Sequence, residues 1–280
     1  FNMFGSTANA AVSVLLLVIV SHLAGETGAG IFSLCFTTAQ MMYTVAAFEL
    51  RNIQVTDAKR EFAFSDVLTF RFITIIVMLI ASAVVVTVRG FSGTKAVLTL
   101  LLCLYMAMLS VSDVFEGYLH RNGYLFLAGT GLGCEVLLAA VAFSATLAIT
   151  GNLIVSVIPM IAVIILWVCL FDIPFSNNFS GDGIKLRPKI IKKLFFTTLP
   201  LFLSVFLNQF AFNTPKYAID DYLTEIDQSH YGFLIMPAFF INLLSIFVFG
   251  PQLVSLAEKW NKKDSENIQY AVFKDQRSNI

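Results

Sequence analysis

Long apolar runs separated by short polar stretches fill most of the 280 residues. Eight runs are long enough to cross a bilayer, at approximately 3–23, 28–50, 72–88, 96–113, 124–149, 152–174, 194–215 and 229–249. A helix needs about 20 mostly apolar residues to match a hydrocarbon core roughly 30 Å thick. Within hydrocarbon each peptide group must be paired inside a helix or a closed barrel, and these runs lack the period-two alternation of barrel strands. The pattern predicts an all-α polytopic membrane protein with about eight transmembrane helices. The expected organisation is a first helical lobe over 1–174, a linker over 175–193, and two helices of a second lobe plus a tail over 194–280.

The polar connections predict the orientation. Those after the second, fourth and sixth runs, together with the tail, hold fifteen basic residues: Arg51, Lys59, Arg60, Arg71, Arg121, Lys185, Arg187, Lys189, Lys192, Lys193, Lys259, Lys262, Lys263, Lys274 and Arg277. The connections on the other side hold three, Arg89, Lys95 and Lys216. Cytoplasmic loops carry the Lys/Arg excess, so both ends are expected in the cytoplasm, as an even span count requires.

Composition agrees with the pattern. The chain is 58% hydrophobic and 13% charged, with mean hydropathy +0.81 and 28 Phe, against about 25% charged residues in soluble domains. The first run has no basic n-region and is too long for a signal-peptide core, so it reads as a retained span. The chain opens with Phe rather than Met, so a natural start is expected upstream. Cys35, Cys103, Cys134 and Cys169 all fall within spans and read as small buried apolar side chains. His22, His120 and His230 lie near span ends without Cys or carboxylate partners at ligand spacing, so neither a metal site nor a cofactor is expected.

Two connections stand out. Residues 51–71 mix basic residues with Phe62, Phe64, Val67, Leu68 and Phe70, which fits a short interfacial helix or an ordinary connector. Residues 175–193 form the longest polar linker and are rich in Ser, Asn and Gly, as befits a lobe boundary. A weak internal echo relates the first hairpin, with Asn9 and Gly30, to the pair after the linker, with Asn208 and Gly232.

Polar residues within spans supply the candidate chemistry. A charge at the bilayer centre costs about 2.5–3.5 kcal/mol on insertion scales, so such a residue faces a cavity or a partner. Glu135, in the middle of the fifth run, is the clearest case and a candidate proton carrier; a carboxyl bonded across a helix interface fits equally well. Asp113 and Glu116, three apart on one helix face, are candidates for holding a coupling cation or pairing with Arg121, or form a solvated face. Asn9, Gln40, Asn208, Gln209 and Asn213 fit either a hydrophilic passage or interhelical hydrogen bonds. Pro159, Pro200 and Pro237 fall inside spans and can kink them. There is no G-x-S-x-G, no HExxH and no Gly-rich phosphate loop, so neither an enzyme nor an ATP-driven pump is expected.

Several segments, in order, resemble one family. FNMFGSTANAAVSVLLLVIVSHLAGETGAGIFSL, RNIQVTDAK with Arg71 beyond it, SDVFEGYLHRNGYL, PKYAIDDYL and YGFLIMPAFFINLLSIFVFGPQLVSLAEKW look like the bacterial polysaccharide flippases of the multidrug/oligosaccharidyl-lipid/polysaccharide exporter superfamily, the O-antigen and capsule translocases. The resemblance implies a protein of the bacterial cytoplasmic membrane that flips a polyprenyl-pyrophosphate-linked oligosaccharide by alternating access between two lobes. It also implies a cationic cavity. Here Arg71, Arg89 and Lys216 are the basic residues nearest the spans and the candidates for an anionic headgroup, although snorkelling fits the same positions. With Asn9, Gln40, Asn208 and Asn213 they make up the candidate substrate cavity. Membrane lipid and the glycosyltransferases or polymerase of the same pathway are the implied partners, and nucleic acid is not. Family members have 12 to 14 spans, so eight imply one complete lobe and the opening of a second.

Two other classes stay open. A membrane-embedded polysaccharide polymerase would need a sizeable polar external loop, and the longest outer connection, about 214–228, is short and mostly acidic. A cation-coupled drug exporter of the sister family would use Glu135 or the Asp113/Glu116 pair. A purely structural membrane subunit is the residual reading.

Overall fold

The computed structural model describes residues 2–57, 60–177, 187–238 and 241, with the backbone alone for 2–11, 125, 176 and 177. Among these the chain is entirely helical. In order come α1 (Asn2–Ala47), α2 (Leu50–Thr56), α3 (Phe64–Val88), α4 (Gly93–Arg121), α5 (Leu125–Thr150), α6 (Leu153–Trp167), a π turn (Val168–Asp172), α7 (Ile173–Asn177) and α8 (Pro188–Tyr222). A further helix, α9, runs over 225–234. Residues 235–238 and 241 belong to a second compact unit and are helical. Residues 239, 240 and 242–249 of the eighth predicted span lie outside the described residues, as do Lys59, residues 178–186 of the predicted linker and the basic tail.

The 46 residues of α1 are two spans. Gly25 has φ 74° and ψ 178°, a conformation open to glycine and incompatible with a continuous helix. Leu17 and Ser33 would stand about 24 Å apart in a straight helix. Both lie against one point, since a Cβ on Gly232 would meet Leu17 Cδ2 at 2.9 Å and Ser33 Oγ at 3.3 Å. The two halves are therefore folded back on each other, as the runs at 3–23 and 28–50 predict.

Six helices are long and apolar enough to cross a membrane: Val12–Ala47 of α1, then α3, α4, Phe126–Thr150, Leu153–Phe175 and α8. The outer surface differs from that of a soluble bundle in its many exposed large apolar side chains. On α3, Ile76, Ile80, Val84 and Val88 make an exposed apolar stripe at every fourth residue, while Arg71, Thr74, Met78 and Ser82 face inward. In hydrocarbon the apolar stripe is the solvated face and the polar residues are sequestered. The molecule is a polytopic membrane protein.

The helices run up and down between two ends. At one end, the α2 end, Arg121 reaches Asp57 at 3.2 Å and donates to the Phe62 carbonyl at 2.8 Å. There Arg187 pairs with buried Asp66 at 2.9 Å, and Lys193 pairs with Glu61. At the other, the Gly25 end, the α3–α4 turn meets the end of α8. The packing in between centres on α4, which touches α1, α2, α3, α5 and α6. Phe48 and Glu49, both at positive φ, turn the chain from α1 into α2. Phe48 anchors that turn by stacking on Phe202 of α8 at 4.3 Å, beside buried Leu50, Phe62, Val67 and Phe70. Within the 51–71 segment Gln54, Phe62, Val67, Phe70 and Arg71 are thus packed into the bundle, while Asn52, Thr56, Arg60 and Glu61 are exposed.

Candidate functional site

The α2 end of the bundle holds a buried network of charges. Arg71, 1% exposed, donates from Nη1 to the Ala46 carbonyl at 2.6 Å and from Nη2 to Asp113 Oδ2 at 2.7 Å. Arg51 of α2 donates to Asp113 Oδ1 and to Glu116 Oε2, each at 3.0 Å. Burial acts against the Arg51 charge, but Asp113 and Glu116 outweigh it and hold the guanidinium above its ordinary value. The local reason is helical spacing: Asp113 and Glu116 sit three apart on α4, so one guanidinium can bridge them. Gly117 gives the room, since a Cβ there would fall 2.4 Å from Gln54 Oε1 of α2.

The network continues across α4. Ser112 Oγ lies 2.6 Å from Glu135 Oε2 on α5 and 2.7 Å from Asp172 Oδ2 at the close of the π turn. A π turn is rare and recurs at functional sites. The network thus joins four buried carboxyls, Asp113, Glu116, Glu135 and Asp172, to the guanidiniums of Arg51 and Arg71.

A second polar feature joins α1 to α8. Lys216 is buried, and its Nζ donates to Thr37 Oγ1 at 2.6 Å. Tyr217 donates to Thr38 Oγ1 at 3.3 Å. Thr37 lies twelve residues past the Gly25 corner, about 18 Å into the bundle. Asn213, one turn earlier on α8, is buried and donates to its own helix at the Gln209 carbonyl, 2.8 Å away.

At the Gly25 end, ion pairs link the α3–α4 turn to α8 and α9. Arg89 pairs with Asp221 at 3.0 Å and Asp220 at 3.7 Å, and lies 5.1 Å over the Tyr217 ring. Lys95 pairs with Asp220 at 2.8 Å and Glu225 at 3.3 Å. Arg89, Lys95, Asp220, Asp221 and Glu225, with Gly90, Phe91 and Ser92, line a cavity of about 530 Å³.

The predicted residues thus fall into three groups. Asp113, Glu116, Glu135 and Arg71 come together at the α2 end; Lys216 and Asn213 lie between α1 and α8; Arg89 is at the Gly25 end. Gln40 is half-buried and Asn208 is exposed, and the Asn9 side chain lies outside the described residues. Asp113 and Glu116 are neither solvated nor paired with Arg121, because Arg51 and Arg71 reach them first and Arg121 turns to Asp57. Arg71 is occupied by Asp113 and does not reach the interface. Cys35 and Cys103 are buried, whereas Cys134 and Cys169 are exposed on the outside of the bundle.

Sequence reasoning overlooked Arg51, Ser112 and Asp172 as site residues. Asp172 carried a readable signal, an acidic residue inside the sixth apolar run, which is the same signal that singles out Glu135. Arg51 carried none, since its partners are 62 and 65 residues away.

Comparison with known proteins gives no match to a family model, to a curated protein or to a solved structure.

Proposed function

We propose that this bundle translocates a polyprenyl-pyrophosphate-linked oligosaccharide across the cytoplasmic membrane by alternating access, for surface polysaccharide assembly, without making or breaking a covalent bond. The supporting observation is Lys216, a buried ammonium whose described polar contact is a hydroxyl and not a carboxylate. A buried cation held this way is a natural counter-charge for an anionic headgroup. The ordered segments that resemble the polysaccharide flippases point the same way. In this reading the α2 end faces the cytoplasm, as its basic residues suggest. The half-exposed ion pairs around Lys95 and Arg89 then close the outer side. Exposed pairs are worth about 0–1 kcal/mol each, so such a closure is reversible.

The test is flipping of a fluorescent polyprenyl-linked oligosaccharide in vesicles carrying the protein at its natural full length. Lys216→Met, which keeps the apolar stem, is expected to lose most flipping, and Lys216→Arg to keep part of it. Wild-type activity in Lys216→Met would sink the reading. The buried carboxyls favour a second reading, a cation-coupled exporter of the sister family; absence of any lipid flipping, with export abolished by Glu135→Gln, would support that one.

A further inference from the structure

We infer that Glu135, Ser112 and Asp172 form a proton-binding site in which two carboxyls hold one proton between them through the serine hydroxyl, whatever cargo the bundle carries. A serine hydroxyl has one hydrogen and an ionised carboxylate has none to give. Ser112 Oγ is at ordinary O–H···O distance from both carboxyls, 2.6 Å from Glu135 and 2.7 Å from Asp172. With both ionised, one of those contacts would set lone pair against lone pair. One carboxyl must therefore donate to Ser112, which donates to the other.

Unpartnered atoms point independently to a ligand. Glu135 is 0% exposed and its Oε1 has no hydrogen-bond partner; Glu116 is 1% exposed and its Oε1 has none either. Glu116 Oε1 lies 3.8 Å from where a Cβ of Gly131 would be, one turn before Glu135 on α5. An ionised oxygen left bare in the interior is costly, and a proton on the Glu135 carboxyl lowers that cost there by removing its charge.

The surrounding charges leave no other neutraliser. Around the pair are Asp113 and Glu116 of α4 and the Tyr105 hydroxyl of α4, with Arg51 of α2 and Arg71 of α3 on the far side of Asp113 and Glu116. Both guanidiniums are engaged by Asp113 and Glu116. Among the described residues no Lys, Arg or His pairs with Glu135 or Asp172, and no three acidic, His or Cys side chains converge as metal ligands do. Loading forms one O–H bond on a carboxyl oxygen and takes the pair from two negative charges to one. Release returns that proton to water, through Asp172 as the less buried of the two.

Infrared spectroscopy of the purified chain in lipid nanodiscs tests this directly. A protonated-carboxyl carbonyl band, shifting in D₂O, is expected at neutral pH, lost in Glu135→Gln and in Asp172→Asn, and shifted in frequency in Ser112→Ala, which removes only the bridge. A spectrum without such a band, or a band that survives both carboxyl substitutions, overturns the proposal. So does a band abolished by adding sodium at constant pH, which would make sodium the ligand. Loss of flipping with the band intact would speak to the cargo and leave the proton site standing.

Discussion

Arg71 illustrates how a single charge is tolerated inside this membrane protein: one nitrogen satisfies the Ala46 carbonyl and another the Asp113 carboxylate. Removing one partner of a buried pair costs about 3–5 kcal/mol, because the other charge is stranded. Asp113 keeps Arg51, so Arg71→Ala should lower thermal stability in detergent by less than that, about 1–3 kcal/mol for the acceptors left unsatisfied. Arg71→Lys should recover only part of it, since a compact ammonium lacks the guanidinium fork whose two nitrogens reach the two acceptors. The same logic explains which site residues could be read from sequence. Glu135 announces itself because it is acidic in an apolar run, and Asp172 does so equally. Asp113 and Glu116 sit near a run's end, where burial and solvation look alike, and Arg51 and Arg71 reach them from distant elements. That pairing is tertiary information with no local trace.

The close contact of α9 with α1 belongs to whole elements. A Cβ on Gly30 would fall 1.8 Å from the Glu225 carbonyl oxygen, so backbone would have to move. Overpacking typically costs about 1–3 kcal/mol. Gly30→Ala is expected to cost at least that and to raise hydrogen exchange of the 223–228 amides. The same turn should respond to acid. The backbone N–H of Glu225 and then Lys95 hold its carboxyl below the ordinary glutamate value, and Thr224 holds Asp227 below the ordinary aspartate value. Carboxyls depressed in the folded state stabilise it above their unfolded values and lose that contribution as pH falls through their folded values. Amide protection at 223–228 should thus be constant near neutrality and fall in acid, and Glu225→Gln should flatten the response. The spans themselves were legible because length and hydropathy decide them. The π turn was not, since a one-residue excess in a helix leaves the apolar pattern almost unchanged.

At the scale of the molecule, orientation is the property most open to direct check. Tyr222 is 86% exposed at the Gly25 end. In intact cells Tyr222→Cys should react with a membrane-impermeant maleimide while the unsubstituted chain does not; protection of Tyr222→Cys until the cells are opened would invert the arrangement. Helix α4 threads the interior between the two ends. It carries Lys95 near its start and Ser112, Asp113 and Glu116 17 to 21 residues further on, about 26–32 Å away. A rod gripped by ion pairs at one extremity and by a carboxyl network at the other cannot tilt without disturbing both. In the proposed reading, protonation of the carboxyl network and release of the ion pairs at the Gly25 end are thereby borne by one helix, much as the two arms of a balance beam share one pivot.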